Sequence, residues 1–186
     1  MTLELRQPTR ELAASFAEMR DACLAAGEDH WHPPDGEPLT EVAHTDVGAY
    51  IDLLNGWTTG ETLPEGWTPR DPYWIVKDGI VVGELNIRHR LTENLRQIGG
   101  HIGYHVHPKY RNQGIATFAV QEAVKLVALL GESEMLITCA DDNAASARVV
   151  EKCGGVRIAD STLEGYAKRR RYVIQNLPRL AREEPS

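Results

Sequence analysis

Between His101 and Ala140 the chain changes texture three times, and the order of those changes restricts the fold more than any other stretch. His101 to His107 has strand character until Pro108 stops it, because proline cannot donate to a sheet ladder. A polar, glycine-containing turn follows. Then Ala116, Val120, Ala123, Val124, Val127 and Leu130 take the spacing of one buried helix face, with Gly131 as a natural C-cap. Met135 to Ala140 is short and nearly all apolar, the pattern of a strand buried on both faces. Strand, helix and strand in this order imply a parallel crossover.

The flanks extend the pattern. Tyr73 to Lys77 and Ile80 to Arg88 are apolar, β-branched runs separated by Asp78-Gly79, the signal of a tight hairpin, and Asn94 to Gly100 is a second turn region. Upstream, Leu3 to Arg6 reads as a short strand. Leu12, Phe16, Met19 and Cys23 then recur at helical spacing until near Gly27. Downstream, Asp141, Asp142 or Asn143 can cap a helix from Ala144 to Lys152, ended by Gly154-Gly155, with strands near Val156 to Ile158 and Arg170 to Gln175. The fold class expected is α+β: a mixed, mostly antiparallel central sheet flanked by helices, with one parallel crossover.

A length of 186 residues at 42% hydrophobic supports a single domain over 1–186. Residues 27–72 differ in texture: six of the ten prolines and three of the four tryptophans fall there, which reads as long loops around a short helix from Asp46 to Leu54. A net charge of -7 argues against a general nucleic-acid binder, and the one dense basic run, Lys168 to Arg171, suits a solvated strand. The first twenty residues are charged throughout, and no segment approaches the roughly 18 apolar residues of a membrane span, so no membrane association and a cytoplasmic location are expected. Cys23, Cys139 and Cys153 lack the paired spacing of a zinc or disulfide framework.

The turn before the long helix has its own chemistry. A helix N-terminus presents unpaired N–H groups and a partial positive charge, so it attracts anions without a cationic side chain. Gly114 lets the backbone approach closely and Ala116 is too small to obstruct it, which makes Arg111 to Thr117 a candidate phosphate cradle. It lacks the ending of a Walker A loop and the glycine spacing of a dinucleotide fingerprint.

R-N-Q-G-I-A after V-H-P resembles the R/Q-x-x-G-x-G/A signature of the GNAT acetyltransferase superfamily, and D-N-A-A-S-A-R-V-V-E-K-C-G-G resembles its N-x-x-[AS] helix. The resemblance covers Tyr73 to Gly155, and residues 1–72 fit by element order alone. N-I-R-H from Asn86 and G-G-H-I-G-Y from Gly99 look like an uncharacterised bacterial branch of predicted acetyltransferases. The resemblance implies acetyl-CoA as co-substrate, with no metal, and a cofactor-binding core over 73–155. The pyrophosphate would lie on Arg111, Asn112, Gln113, Gly114, Ile115, Ala116 and Thr117, and the cofactor arm on Asn143 and Ser146. Pantetheine would pair with the backbone at Val106 and His107, and the Val106 N–H would hold the thioester carbonyl, a contribution of about 3 kcal/mol in comparable oxyanion holes.

Acetyl transfer to an amine also needs a base near neutral pKa. His105 and Glu84 are the candidates; the bland alternatives are a sheet-packing histidine and a solvent-facing strand residue. Many relatives place a Tyr seven residues after the motif Asn to reprotonate the thiolate, but Val150 stands there. Tyr104, Tyr172 or Cys153 could substitute, or solvent could. His101, His105 and His107 share strand parity, yet no third metal ligand is placed by spacing. Asn86, Arg88 and His89 either orient the acceptor or brace the hairpin. Trp31, Trp57 and Trp67, in the acceptor-side segment 27–72, either wall a pocket or fill the core or a homodimer contact. Two functions are therefore open: an N-acetyltransferase acting by direct attack of a primary amine of a small molecule or peptide, and a non-catalytic acyl-CoA-binding module on the same fold.

Overall fold

The computed structural model describes residues 2–30, 39–63, 65–161 and 163–175. By its contacts the chain gathers into two compact units, Met1–Asn86 with Tyr104–Ile115, and Ile87–Gly103 with Ala116–Ser186.

In order, the chain forms β1 (Leu3–Arg6), α1 (Ala13–Ala25), α2 (Leu39–Thr45), α3 (Val47–Thr59), β2 (Arg70–Lys77), β3 (Ile80–Arg88), α4 (Glu93–Gln97) and β4 (Ile102–Val106). There follow α5 (Ile115–Leu129), β5 (Glu134–Ala140), α6 (Ala144–Lys152), β6 (Val156–Ile158) and β7 (Arg169–Gln175). The strands make two hydrogen-bonded sheets, a four-stranded one of order β1-β2-β3-β4 and a three-stranded one of order β5-β7-β6.

In the first unit, Asp78 and Gly79 both take positive φ (49° and 82°), the signature of a type I′ turn whose twist suits a hairpin. Asp78 Oδ1 also accepts from the Thr2 N–H at 2.8 Å, tying the start of the chain to that hairpin. The core is a cluster in which Phe16, Met19 and Cys23 of α1 meet Tyr50, Ile51, Leu54 and Trp57 of α3 and Trp74 and Val76 of β2. Phe16 stacks on Trp74 (4.9 Å between centroids) and on Tyr50 (5.4 Å), so a column of rings joins helices to sheet. α3 runs to Thr59, beyond the expected Leu54, because Trp57 carries its buried stripe a further turn. Asp46 caps it by accepting from the Ala49 N–H at 2.9 Å.

Gly83 lies against the backbone of β4. A Cβ there would lie 2.5 Å from the His105 carbonyl oxygen and 3.0 Å from Ile75 Cδ1. A backbone oxygen cannot rotate aside, so Gly83→Ala should force the strands apart at His105 and cost about 1–3 kcal/mol, read from the midpoint of denaturant unfolding.

In the second unit, β5 pairs antiparallel with β7 from Glu134↔Gln175 to Ala140↔Arg169, and β6 covers the far side of β7. Among the described residues the ladders of β1 with β2, β5 with β7 and β6 with β7 are antiparallel, and Gly100 makes an isolated antiparallel bridge to Ile137. His101 secures that bridge: its N–H donates to the Leu136 carbonyl at 2.8 Å, and its Nδ1 accepts from the Leu136 N–H at 2.9 Å. Burial holds His101 down to about 4, so this ring is a neutral structural element. α4, within a segment expected to be only a turn, is a short helix capped by Thr92, whose hydroxyl accepts from the Leu95 N–H.

Candidate active site

In the first unit the carboxylate of Glu84, on β3, is buried. The His107 N–H donates to the Val82 carbonyl at 2.9 Å, and extending that antiparallel register sets Glu84 opposite His105. The side chains meet, with His105 Nε2 3.5 Å from Glu84 Oε2 and only 13% and 7% of the two side chains exposed. A buried carboxylate persists only where donors compensate lost hydration. Glu84 Oε1 has them: the Trp74 indole N–H at 3.1 Å and the Tyr50 hydroxyl at 3.5 Å. The same aromatic column that builds the core thus holds the carboxylate.

His105 is kept well below the ordinary histidine range, first by burial and then by the nearby His30 and Arg111, with Glu28 opposing. At neutral pH it is the uncharged imidazole, the form that can accept a proton.

The next peptide has a complementary feature. A trans peptide points its C=O opposite to the following N–H, and the His107 N–H is turned to β3, so the Val106 carbonyl faces away from it. That carbonyl accepts from Arg111 Nε at 3.0 Å. In extended backbone the Val106 N–H shares the carbonyl's side and also points away from β3. His107 is otherwise occupied: its carbonyl accepts from the Tyr110 N–H, and its ring accepts the Lys109 N–H at 3.1 Å and meets Tyr110 edge-on. Its ring therefore turns to the 3-10 turn that follows it (Pro108–Tyr110), while His105 faces Glu84. Among the described residues, no group of three or more His, Cys, Asp or Glu is arranged to hold a metal.

After that turn, Asn112 and Gly114 take positive φ (59° and 81°), and α5 begins at Ile115. Nothing lies within 4 Å of where a Gly114 Cβ would be, so the space over the turn is open. The Gln113 amide is held by Lys77 Nζ (2.8 Å) and by the Lys109 carbonyl (3.3 Å).

Two residues that the sequence did not single out complete the cluster. α1 ends in a Schellman motif: Gly27 is left-handed (φ 76°), its N–H bonds the Leu24 carbonyl, and the Glu28 N–H bonds the Cys23 carbonyl. That turn aims Glu28 at Arg111, whose Nη1 reaches Glu28 Oε1 at 2.7 Å and whose Nη2 bonds Oε2. His30 Nε2 lies 3.1 Å from the same Oε2, and the His30 ring stacks on His105 with centroids 4.2 Å apart and planes 15° from parallel. Arg111 holds Glu28 down to about 2. The only local signal was the glycine helix stop before E-D-H.

The remaining candidates have other company. Tyr104, one residue before His105, alternates to the other face of the strand. Trp57 and Trp67 hold a cation of the chain's own: the Arg70 guanidinium lies 4.1 Å from the Trp67 centroid and 5.3 Å from that of Trp57. Trp31 lies outside the described residues. Asn86 buries its Oδ1 without a hydrogen-bond partner. In the second unit, Arg88 donates to the carbonyls of Gly99 (3.2 Å) and Gly100 (3.0 Å), as in the hairpin-bracing alternative, and His89 follows at the end of β3. Burial lowers the Arg88 guanidinium to about 10, and it remains charged.

Also in the second unit, Asn143 caps α6 by accepting the Ser146 N–H at 2.9 Å. Val150 is fully buried against Gly155. The Tyr172 hydroxyl donates to Glu151 at 3.1 Å and the Cys153 thiol to the Thr117 carbonyl at 3.7 Å; burial raises both groups, so each holds its proton at neutral pH.

A profile of the acetyltransferase (GNAT) domain matches residues 2–156, most of the chain. The chain belongs to the GNAT acetyltransferase family. This GNAT domain is similar in fold to Mycobacterium smegmatis RimJ in complex with CoA-disulfide, at 22% identity and a TM-score of 0.68 over 93% of this chain and 81% of that one. It is similar to yncA of Salmonella typhimurium with acetyl-CoA, at 14% identity and a TM-score of 0.62 over 100% of both chains. A third structure is the Salmonella typhimurium acetyl transferase that modifies the N-terminal serine of the 50S ribosomal subunit protein L7/L12, at 19% identity and a TM-score of 0.62 over 94% of this chain and 95% of that one. No curated protein matches this chain. Among its described residues no helix is long and apolar enough to cross a membrane.

Proposed function

We propose that the protein transfers the acetyl group of acetyl-CoA to a primary amine of a small molecule or peptide by direct attack. The observation that carries this is the juxtaposition, on consecutive residues of β4, of a neutral buried imidazole paired with a carboxylate and a peptide N–H turned away from the sheet. Solved structures of similar fold hold acetyl-CoA, and one acts on a protein N-terminal serine, which agrees in donor and in acceptor type.

The residues fit the co-substrate. The left-handed Gly114 turn opens onto space that a side chain does not fill, and the first amides of α5 follow it, a combination suited to a pyrophosphate. Asn112, Gly114, Ile115, Ala116 and Thr117 would hold that group through their backbone. The family motif gives Asn143 and Ser146 the cofactor arm. Acetyl-CoA supplies an acetyl group activated as a thioester. The Val106 N–H stabilises negative charge developing on the carbonyl oxygen. With its hydrogen on Nε2, facing Glu84, His105 takes the amine proton at Nδ1 as the C–N bond forms, and Glu84 steadies the resulting imidazolium; the C–S bond then breaks, the thiolate takes a proton from solvent, and His105 returns its proton to solvent.

Mixing the purified protein with acetyl-CoA and a panel of amines and N-terminal peptides, while following free thiol, tests this. Thiol release dependent on an amine is the expected result. CoA binding without turnover across the panel would instead favour the non-catalytic module.

A further inference from the structure

We propose that Glu28 and His30 are positioning residues for acetyl transfer, holding the Val106 peptide and the His105 imidazole in register with each other. This inference rests on the reading of His105 as the base.

A base and an oxyanion donor act together only if the distance between them is fixed, and a misplacement of about 1 Å can cost 10²-fold in rate. Here the covalent link between His105 and Val106 is supplemented by a second, non-covalent route. The Val106 carbonyl accepts from Arg111 Nε, and the Arg111 guanidinium takes both oxygens of Glu28. Glu28 Oε2 meets His30 Nε2, and the His30 ring lies flat on His105. The other edge of His105 meets Glu84. One carboxylate therefore orients both the ring that lies on the base and the cation that restrains the peptide beside it. Bidentate Arg–carboxylate geometry makes that restraint directional, which a single lysine contact would not.

The groups facing His105 come from several elements. β3 brings Glu84, backed by Trp74 of β2 and Tyr50 of α3. The turn after α1 brings Glu28 and His30, and the turn before α5 brings Arg111. Cys23 of α1 lies near Glu28 and Arg111; burial raises its thiol to about 11, so it carries no charge. Glu28 favours the imidazolium of His105, whereas His30 and Arg111 disfavour it. The two neighbours therefore act on the titration of His105 in opposite directions.

Glu28→Gln removes the favourable charge and leaves Arg111 uncompensated, so the His105 midpoint should move to lower pH. His30→Gln removes a neighbour that disfavours the His105 imidazolium, together with the ring that lies on one face, so the midpoint should move to higher pH. Imidazole NMR titration of the folded protein reads both shifts without an acceptor. With the best amine of the panel, each variant should lose about 10- to 100-fold in kcat, with less change in KM and CoA affinity within about threefold.

A merely structural role would lower Tm while leaving the His105 midpoint and kcat in place, and that result overturns the proposal. So would unshifted midpoints in both variants. If His105→Gln is itself fully active, the base reading fails first and takes this inference with it, which separates the two failures. Should Glu28→Gln not fold, Glu28→Asp keeps the charge but shortens the reach. It should retain the midpoint and still lose kcat, and full kcat in that variant would count against positioning.

Discussion

His105→Gln should lower kcat by about 10²- to 10⁴-fold, the usual contribution of a positioned general base, while CoA affinity stays within a few fold. Glutamine keeps a polar group of similar reach opposite Glu84 but cannot accept a proton at neutral pH. The wild-type rate should fall as pH drops through the His105 pKa. Because burial, His30 and Arg111 depress that value, the acidic limb should lie below the ordinary 6.5. The sign follows from the chemistry: a base is active when deprotonated, so a lowered pKa extends activity toward acid. In His105→Gln this limb should vanish. A variant that keeps both the wild-type kcat and the acidic limb would remove His105 from the mechanism, and Glu84→Gln would then become the decisive substitution.

Gly114→Glu should weaken CoA binding at least ~100-fold, about 2.7 kcal/mol, as read by calorimetry. The substitution acts on two different quantities, stability and binding. A non-glycine residue at φ +81° pays about 1–2 kcal/mol for left-handed backbone, a cost borne by folding. No steric clash adds to it, since nothing lies within 4 Å of the new Cβ. The binding loss comes from the carboxylate, placed where backbone N–H groups and the start of α5 favour a phosphate. Gly114→Ala separates the two, carrying the same backbone strain without the charge. It should lose stability but bind CoA within about tenfold. Wild-type affinity in Gly114→Glu would mean that the pyrophosphate lies elsewhere.

How much could be read without coordinates depended on the range of the interactions involved. The hairpin at Asp78-Gly79, the period of α5 and the bounds of α6 are local events, encoded in turn residues and in spacing along a few turns of chain. The short α4 was missed because a single capped turn has too few periodic positions to register. The pairing of β5 with β7 joins residues far apart in sequence, and an apolar run such as Met135 to Ala140 announces a buried strand without naming its neighbour. The tryptophans show the same limit. Their aromatic faces were legible, but that Arg70 would occupy those of Trp57 and Trp67 was not.

By itself the sequence determined the turn from Arg111 into α5 and the helix capped by Asn143, because glycine, asparagine and helix starts set their own backbone conformations. It also confined the candidate bases to β3 and β4. Only the tertiary structure decided that Glu84 meets His105, that Trp74 and Tyr50 sustain the buried carboxylate, and that Glu28 and His30 close over the pair. The reason is physical: Glu28 and Arg111 are 83 positions apart, and the charge and ring contacts that gather such residues leave no period along the chain.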